Sequence, residues 1–169
     1  MARMSFRVPP RCLVALALPL AAVASLALSA PAAGAGDWEC PVQKDVWYLR
    51  GLTSTHDGVD MAAGPFPHQF GRKVISVISG TVTWRKNPGG YGKYIEFKAD
   101  GGRRFIYAHL KKDRLVPNHS HVPRGTAIAR VGKSGNATTP HLHFEAHDKD
   151  TGAPTDPMPK LDHCAWLNR

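Results

Sequence analysis

Between Lys73 and His147 the chain breaks into short runs rich in Val, Ile, Phe, Thr and Tyr, separated by clusters of Gly, Pro, Asn and Asp. Few stretches repeat an apolar residue every third or fourth position, so amphipathic helices are disfavoured and extended segments joined by turns are required. The fold class this predicts is all-β and antiparallel. Lys73–Arg85 alternates along its length with a bend expected at Gly80, and Asn87-Pro88-Gly89-Gly90 is a strong turn signal. Tyr91–Lys98 is expected to form a hairpin with Arg103–Leu110 across the Asp100-Gly101-Gly102 turn, and Thr126–Val131 and His141–His147 complete the strand set. Gly64–Arg72 falls outside this order and reads as a loop.

Residues 1–35 are set aside from fold reasoning because they carry the three parts of a secretory signal. Arg3, Arg7 and Arg11 form a basic start, Leu13–Leu28 is apolar apart from Pro19 and Ser25, and Ala33-Gly34-Ala35 is a small-residue cleavage site. An uncleaved membrane anchor is the competing reading of the same apolar run. Cleavage would leave residues 36–169, a length that buries a core as one domain. The formal charge of +9 includes the three signal arginines, so the mature part keeps +6. Such a charge suits an anionic polymer or surface. Nucleic acid is not expected, since the protein is read as exported and its basic residues are scattered rather than gathered in one tract with aromatic spacers. Cys40 and Cys164 remain after cleavage, and in an oxidising compartment they are expected to form a disulfide.

Chemistry is concentrated in two segments. In Thr138–Glu145, TTPHLHFE, an extended chain places His141 and His143 on one face and turns Leu142 and Phe144 to the other, into a core. In His56-Asp57-Gly58-Val59-Asp60, His56 and Asp60 also share a face. A catalytic zinc takes three protein ligands and keeps a fourth position for water. His56, Asp60 and His143 make such a set, and its single carboxylate leaves a net charge near +1, which acidifies water toward neutrality. Gly58 is expected to clear space for metal or substrate. His141 and His109 are the candidates for stabilising an oxyanion and moving protons. His119-Ser120-His121 has the same spacing as the first pair but runs into Val122-Pro123-Arg124-Gly125, a turn, and reads as an exposed loop. His68, His147 and His163 read as surface or packing residues.

The spaced motifs HDGVDMAA, ISGTV, YGKYIEF, YAHL, RGTAIARVGKSGNATTPHLHFEA and a closing DP, running from His56 to Pro157, resemble the lysostaphin-type zinc endopeptidases. The resemblance implies a β-sandwich-like antiparallel sheet domain with long loops walling a groove, occupying 36–169 with a core of about 46–160. It also implies hydrolysis of peptide bonds in peptidoglycan stem or cross-bridge peptides by zinc-activated water. Zinc would fall on His56, Asp60 and His143, and the assisting histidines on His109 and His141. The Gly64–Arg72 loop departs from the usual short turn of that family and reads as a wall of the substrate groove. Because only Gly36–Thr55 separates the cleavage site from His56, a self-inhibiting leading segment is not expected. Neither is a separate wall-binding module, nor stable membrane association after cleavage. The protein is expected to be a monomer, secreted to the exterior, the periplasm or the cell wall. The alternative is a catalytically inactive wall-binding or hydrolase-regulating protein on the same fold, to be told apart by incompleteness of the five-residue set, which here is complete.

Overall fold

The computed structural model describes residues 38–43, 45–63 and 70–168. Ten strands follow in order: β1 (Val46–Arg50), β2 (Val59–Ala63), β3 (Lys73–Ile75), β4 (Gly80–Asn87), β5 (Gly92–Ala99), β6 (Arg104–Ala108), β7 (His121–Val122), β8 (Ala127–Arg130), β9 (Leu142–His147) and β10 (Pro154–Thr155). Among the described residues the only helical element is a 3₁₀ turn at Met158–Lys160. The main sheet runs β1-β2-β9-β6-β5-β4-β7, with β10 added beside β9, and β3 pairs with β8 in a second, two-stranded sheet. The pairings between these strands are antiparallel.

Alternation along each strand explains the layering. In β4, Gly80, Val82 and Trp84 are buried while Thr81, Thr83 and Arg85 are more open, the period-two pattern of a sheet with one covered face. Across the sheet, Val82, Phe97, Phe105 and Ala146 stand in register, and Trp84, Ile95, Tyr107, Phe144 and Val59 form the next row. These rows join Val74, Ile128 and Ala129 of the small sheet in one apolar core. Phe105 stacks on Phe144 with centroids 5.7 Å apart, and Trp38 meets Phe105 edge-on at 4.9 Å. The Val77 N–H donates to the buried Tyr107 hydroxyl at 3.0 Å, so the ring's polar end is satisfied.

Lys73–Arg85 differs from expectation. It is not one bent strand but two, β3 and β4, in different sheets, with the buried Ser76 between them taking hydrogen bonds to Pro123 and Thr126. Residues 46–50 form an edge strand that the sequence reading left unassigned, and His121 sits in the short strand β7 rather than wholly in a loop. His119 and His121 are exposed, as expected, and His121 pairs with exposed Asp100.

Cys40 and Cys164 are joined as a disulfide, with Cα atoms 5.7 Å apart, so the bridge ties the start of the described chain to its end. His163, beside it, is exposed. The expected signal segment, 1–35, lies outside the described residues, as do residues 64–69 of the proposed groove wall, including His68. The loop's described end places Phe70 under the Lys111 ammonium at 5.0 Å.

Candidate metal centre and catalytic groove

Strand β9 lies between β2 and β6, and all six of its residues are buried. Leu142, Phe144 and Ala146 belong to the core, which leaves His143, Glu145 and His147 as a buried polar row on the opposite face. Register then assembles the site. Asp60 of β2 stands directly opposite His143, and Ala108 of β6 stands opposite it on the other side. His56 enters from a turn closed by reciprocal backbone bonds with Thr53.

Three donor atoms converge. His143 Nδ1 lies 2.8 Å from Asp60 Oδ1 and 3.1 Å from His56 Nε2, and His56 Nε2 is 3.1 Å from Asp60 Oδ1. A tetrahedral zinc with bonds of about 2.0–2.1 Å would separate its ligand atoms by roughly 3.3 Å, so the triangle is close to what such an ion needs. The opposite nitrogens are anchored as well. His56 Nδ1–H donates to Gly51 O at 2.8 Å, and His143 Nε2–H donates to Glu145 Oε1 at 2.8 Å. Each ring thus turns its other nitrogen into the cluster, the arrangement that outer hydrogen bonds impose on metal-binding histidines.

The electrostatics agree. Burial opposes a charge on His143, but its hydrogen bonds to Asp60 and Glu145 outweigh that and push its pKa up to about 9. The ring itself lies between two carboxylates, Asp60 at Nδ1 and Glu145 at Nε2. Burial likewise opposes ionisation of Asp60, and the bond from His143 with the charge of His141 overcomes it, holding the carboxyl below its usual range. The donor set, one carboxylate and two tautomer-fixed imidazoles, fits a zinc ion.

Two further histidines face the same groove. His141 Nδ1–H donates to Thr139 O and His109 Nδ1–H to Ser134 O, both at 2.9 Å, and the rings lie 4.7 Å apart. His141 Nε2 is 3.6 Å from Asp60 Oδ1. Burial keeps the His109 pKa below its ordinary value, with the Ser134 bond working against it. Strand β6 ends at Ala108, and His109 has a left-handed backbone, φ 59°, instead of continuing the strand as expected. Such a conformation is costly for a non-glycine residue and is held by its surroundings. Here the His109 N–H bonds to Tyr91 O, and the ring is held by the Ser134 carbonyl. The groove, about 380 Å³, is lined by these residues together with Arg50, the β4–β5 turn at Asn87–Tyr91 and the loop at Asn136–Thr138.

Three residues escaped the sequence reading. Glu145 is 1 % exposed and takes hydrogen bonds from His143, from Tyr91 Oη at 2.6 Å and from His147 Nε2 at 2.6 Å. Burial alone would raise its pKa, but these three donors bring it down to about 2. Of the surface or packing roles expected for His147, burial rules out the surface one, and its Nδ1 lies 2.9 Å from both Gly152 O and the Arg104 guanidinium. The Glu145 bond raises its pKa against burial. The available signal was the two-residue period of His141 and His143, which continues through Glu145 to His147. Tyr91, its own pKa raised by burial and by Glu145, had no signal outside the turn it follows. Gly58 also has a different purpose from the one expected. A Cβ there would strike the Phe144 carbonyl and Glu145 Cγ, so glycine lets the chain pass against β9 rather than clearing the metal position.

An all-β domain that gathers two histidines and a carboxylate at a groove, with two more histidines beside them, has the architecture of a metal-dependent hydrolase. The chain belongs to peptidase family M23, which residues 54–157 match. This family is zinc-dependent. The chain is 33% identical over 103 residues to the DD-carboxypeptidase/endopeptidase Mpg of Neisseria meningitidis serogroup B, covering 61% of this chain and 22% of that protein. Among solved structures, the catalytic domain of the antimicrobial peptidase lysostaphin from Staphylococcus simulans is 27% identical with a TM-score of 0.56, covering 75% of this chain and 92% of that one. A zinc-containing peptidase from Vibrio cholerae is 30% identical with a TM-score of 0.57, covering 72% of this chain and 39% of that one. The chain spans about a fifth of the length of the curated relatives it matches.

Proposed function

We propose that the protein is an exported zinc endopeptidase that hydrolyses peptide bonds of bacterial peptidoglycan. The observation that carries this reading is the triangle of His56 Nε2, Asp60 Oδ1 and His143 Nδ1, with edges of 2.8–3.1 Å, set in a groove beside His109 and His141. His56, Asp60 and His143 would hold the ion. Zinc bound there supplies a Lewis acid that acidifies water and polarises a scissile carbonyl. His141 and His109 each donate a hydrogen bond from Nδ1–H to a backbone carbonyl, which leaves Nε2 available to accept a proton from water and pass it to the leaving amine. Burial favours the neutral form of His109, the form a base requires. Glu145 fixes the His143 ring and partly offsets the cation's charge through it.

The substrate class rests on relatives named as peptidoglycan endopeptidases, with the candidate metal centre set in a groove of about 380 Å³. Export, with residues 1–35 as the signal and the mature chain acting as a monomer in or near the wall, belongs to the same proposal. The test is loss of turbidity of purified cell walls with and without a chelator. Clearing that is blocked by chelator and restored by zinc is expected. Clearing that ignores the chelator rejects the metal mechanism, and no clearing on walls of any chemistry favours a binding or regulatory role.

A further inference from the structure

Tyr91 is the residue at which the two halves of the site meet. It immediately precedes β5 and lines the groove. Its hydroxyl donates to Glu145 Oε1 at 2.6 Å, the same oxygen that takes the His143 Nε2–H at 2.8 Å. Its ring lies against the His143 ring, with centroids 5.8 Å apart and planes 28° from parallel. Its main-chain carbonyl accepts the His109 N–H at 2.9 Å. His109 has a left-handed backbone, φ 59°, a conformation that persists only when its surroundings hold it.

The chain on either side of Tyr91 is fixed in turn. Gly90 O accepts the Asn136 N–H at 3.0 Å, and the Lys93 N–H donates to Ser134 Oγ at 2.8 Å. Between them, a Cβ on Gly92 would strike the Ser134–Gly135 backbone. A side chain on so constrained a backbone places its hydroxyl in a narrow range of positions. Glu145 already takes one histidine bond on each oxygen, from His143 and from His147. The third bond, from Tyr91, falls on the oxygen that faces His143 and so fixes the carboxylate toward that ring. We propose that Tyr91 is a positioning residue that ties the metal half of the site to its acid–base half: through Glu145 it orients His143, and through its carbonyl it holds the backbone that carries His109. The inference rests on the proposed function, in which His143 holds the ion and His109 moves the proton, and it names what keeps the two in register.

The test is Tyr91→Phe in the full chain, which removes the hydroxyl and keeps both the ring and the carbonyl. Zinc affinity, read by competition with a chromogenic chelator, should fall about tenfold. At saturating zinc, kcat on a soluble cross-linked wall peptide should fall about three- to tenfold with KM within about twofold, because the hydroxyl is engaged by Glu145 rather than by substrate. Under the same conditions amide hydrogen exchange at His109 should speed up about three- to tenfold, while the amides of Ile95 and Phe97 in the same sheet keep their parental rates. Tyr94, whose ring lies 5.2 Å from that of Tyr91, is the control. Tyr94→Phe should leave every readout within about twofold of the parent. In a Glu145→Gln background, Tyr91→Phe should cost less than about twofold more in zinc affinity, since both changes act through one bond. Should Tyr91→Phe not fold, Glu145→Gln alone carries the test from the other end, by faster exchange at His109. Parental zinc affinity in Tyr91→Phe, a further tenfold loss in the double variant, or unchanged exchange at His109 in either single variant would each overturn the proposal. Failure of the hydrolase reading shows separately, as a parent chain that binds zinc and releases no peptide.

Discussion

At Glu145, one buried carboxylate orients the ring of His143 and is itself held by Tyr91 and His147. Replacing Glu145→Gln keeps the shape but removes the charge that faces the ring. Zinc affinity, measured by competition with a chromogenic chelator, is expected to fall by about 10–100-fold. An unchanged affinity would reduce Glu145 to a packing residue. The same carboxylate sets a pH dependence. Its folded pKa, about 2, lies below its ordinary value of 4.5, so its contribution to stability is present above pH 4.5 and is lost as pH falls toward 2. His147 has the opposite sign: its pKa is raised above 6.5, so its contribution is full below that value and fades as pH rises through the raised one. Thermal melts of the metal-free protein should therefore drop between about pH 4.5 and 2, and Glu145→Gln should flatten that drop. His56 with Asp60, and His141 with His143, were legible in the sequence because spacing puts each pair on one face, whereas His109 was read from its place at the end of the YAHL segment and from the family resemblance. Glu145 and His147 were not, because their chemistry depends on burial of β9 on both faces, which only the neighbouring strands create.

At the level of elements, the site depends on how closely loops pass one another. Gly92 and Gly135 both have positive φ, 69° and 75°, and a Cβ on either would collide with the backbone of the other's loop. This crossing places Ser134, whose hydroxyl accepts from Lys93 N–H and donates to Leu110 O while its carbonyl holds His109. Gly135→Ala is expected to cost on the order of 1–3 kcal/mol of stability. It should lower kcat more than it raises KM, because it displaces the anchor of His109 rather than the groove. A variant with parental kcat and melting temperature would contradict this account. The hairpin from β5 to β6 was readable from its alternation and its Asp-Gly-Gly turn. The division of Lys73–Arg85 into two strands was not, since the alternating pattern is the same whether the run pairs within one sheet or crosses between two. Strand β1 was also missed. It is an edge strand with Trp47 and Leu49 exposed, so it lacks the regular inward face that marks a strand in sequence.

On the scale of the whole molecule, the Cys40–Cys164 bridge closes a loop with a sequence separation of 124. Reducing it, or changing both cysteines to serine, should lower the melting temperature, with roughly 4 to 5 kcal/mol as the upper figure from chain entropy. Hydrolysis at low temperature should persist, since the bridge lies outside the groove lining. Loss of activity without loss of fold would place the bridge in the catalytic machinery instead. The global topology does one thing that no local pattern can: pairing β2 with β9 brings His56 within 3.1 Å of His143, 87 positions away. Zinc stoichiometry by atomic emission on the parent and three variants measures what that juxtaposition can hold. One zinc per chain is predicted for the parent, none for His143→Ala, and one each for His141→Ala and His109→Ala with lowered turnover. Retained zinc and hydrolysis in His143→Ala, or lost zinc in His141→Ala, would contradict the account.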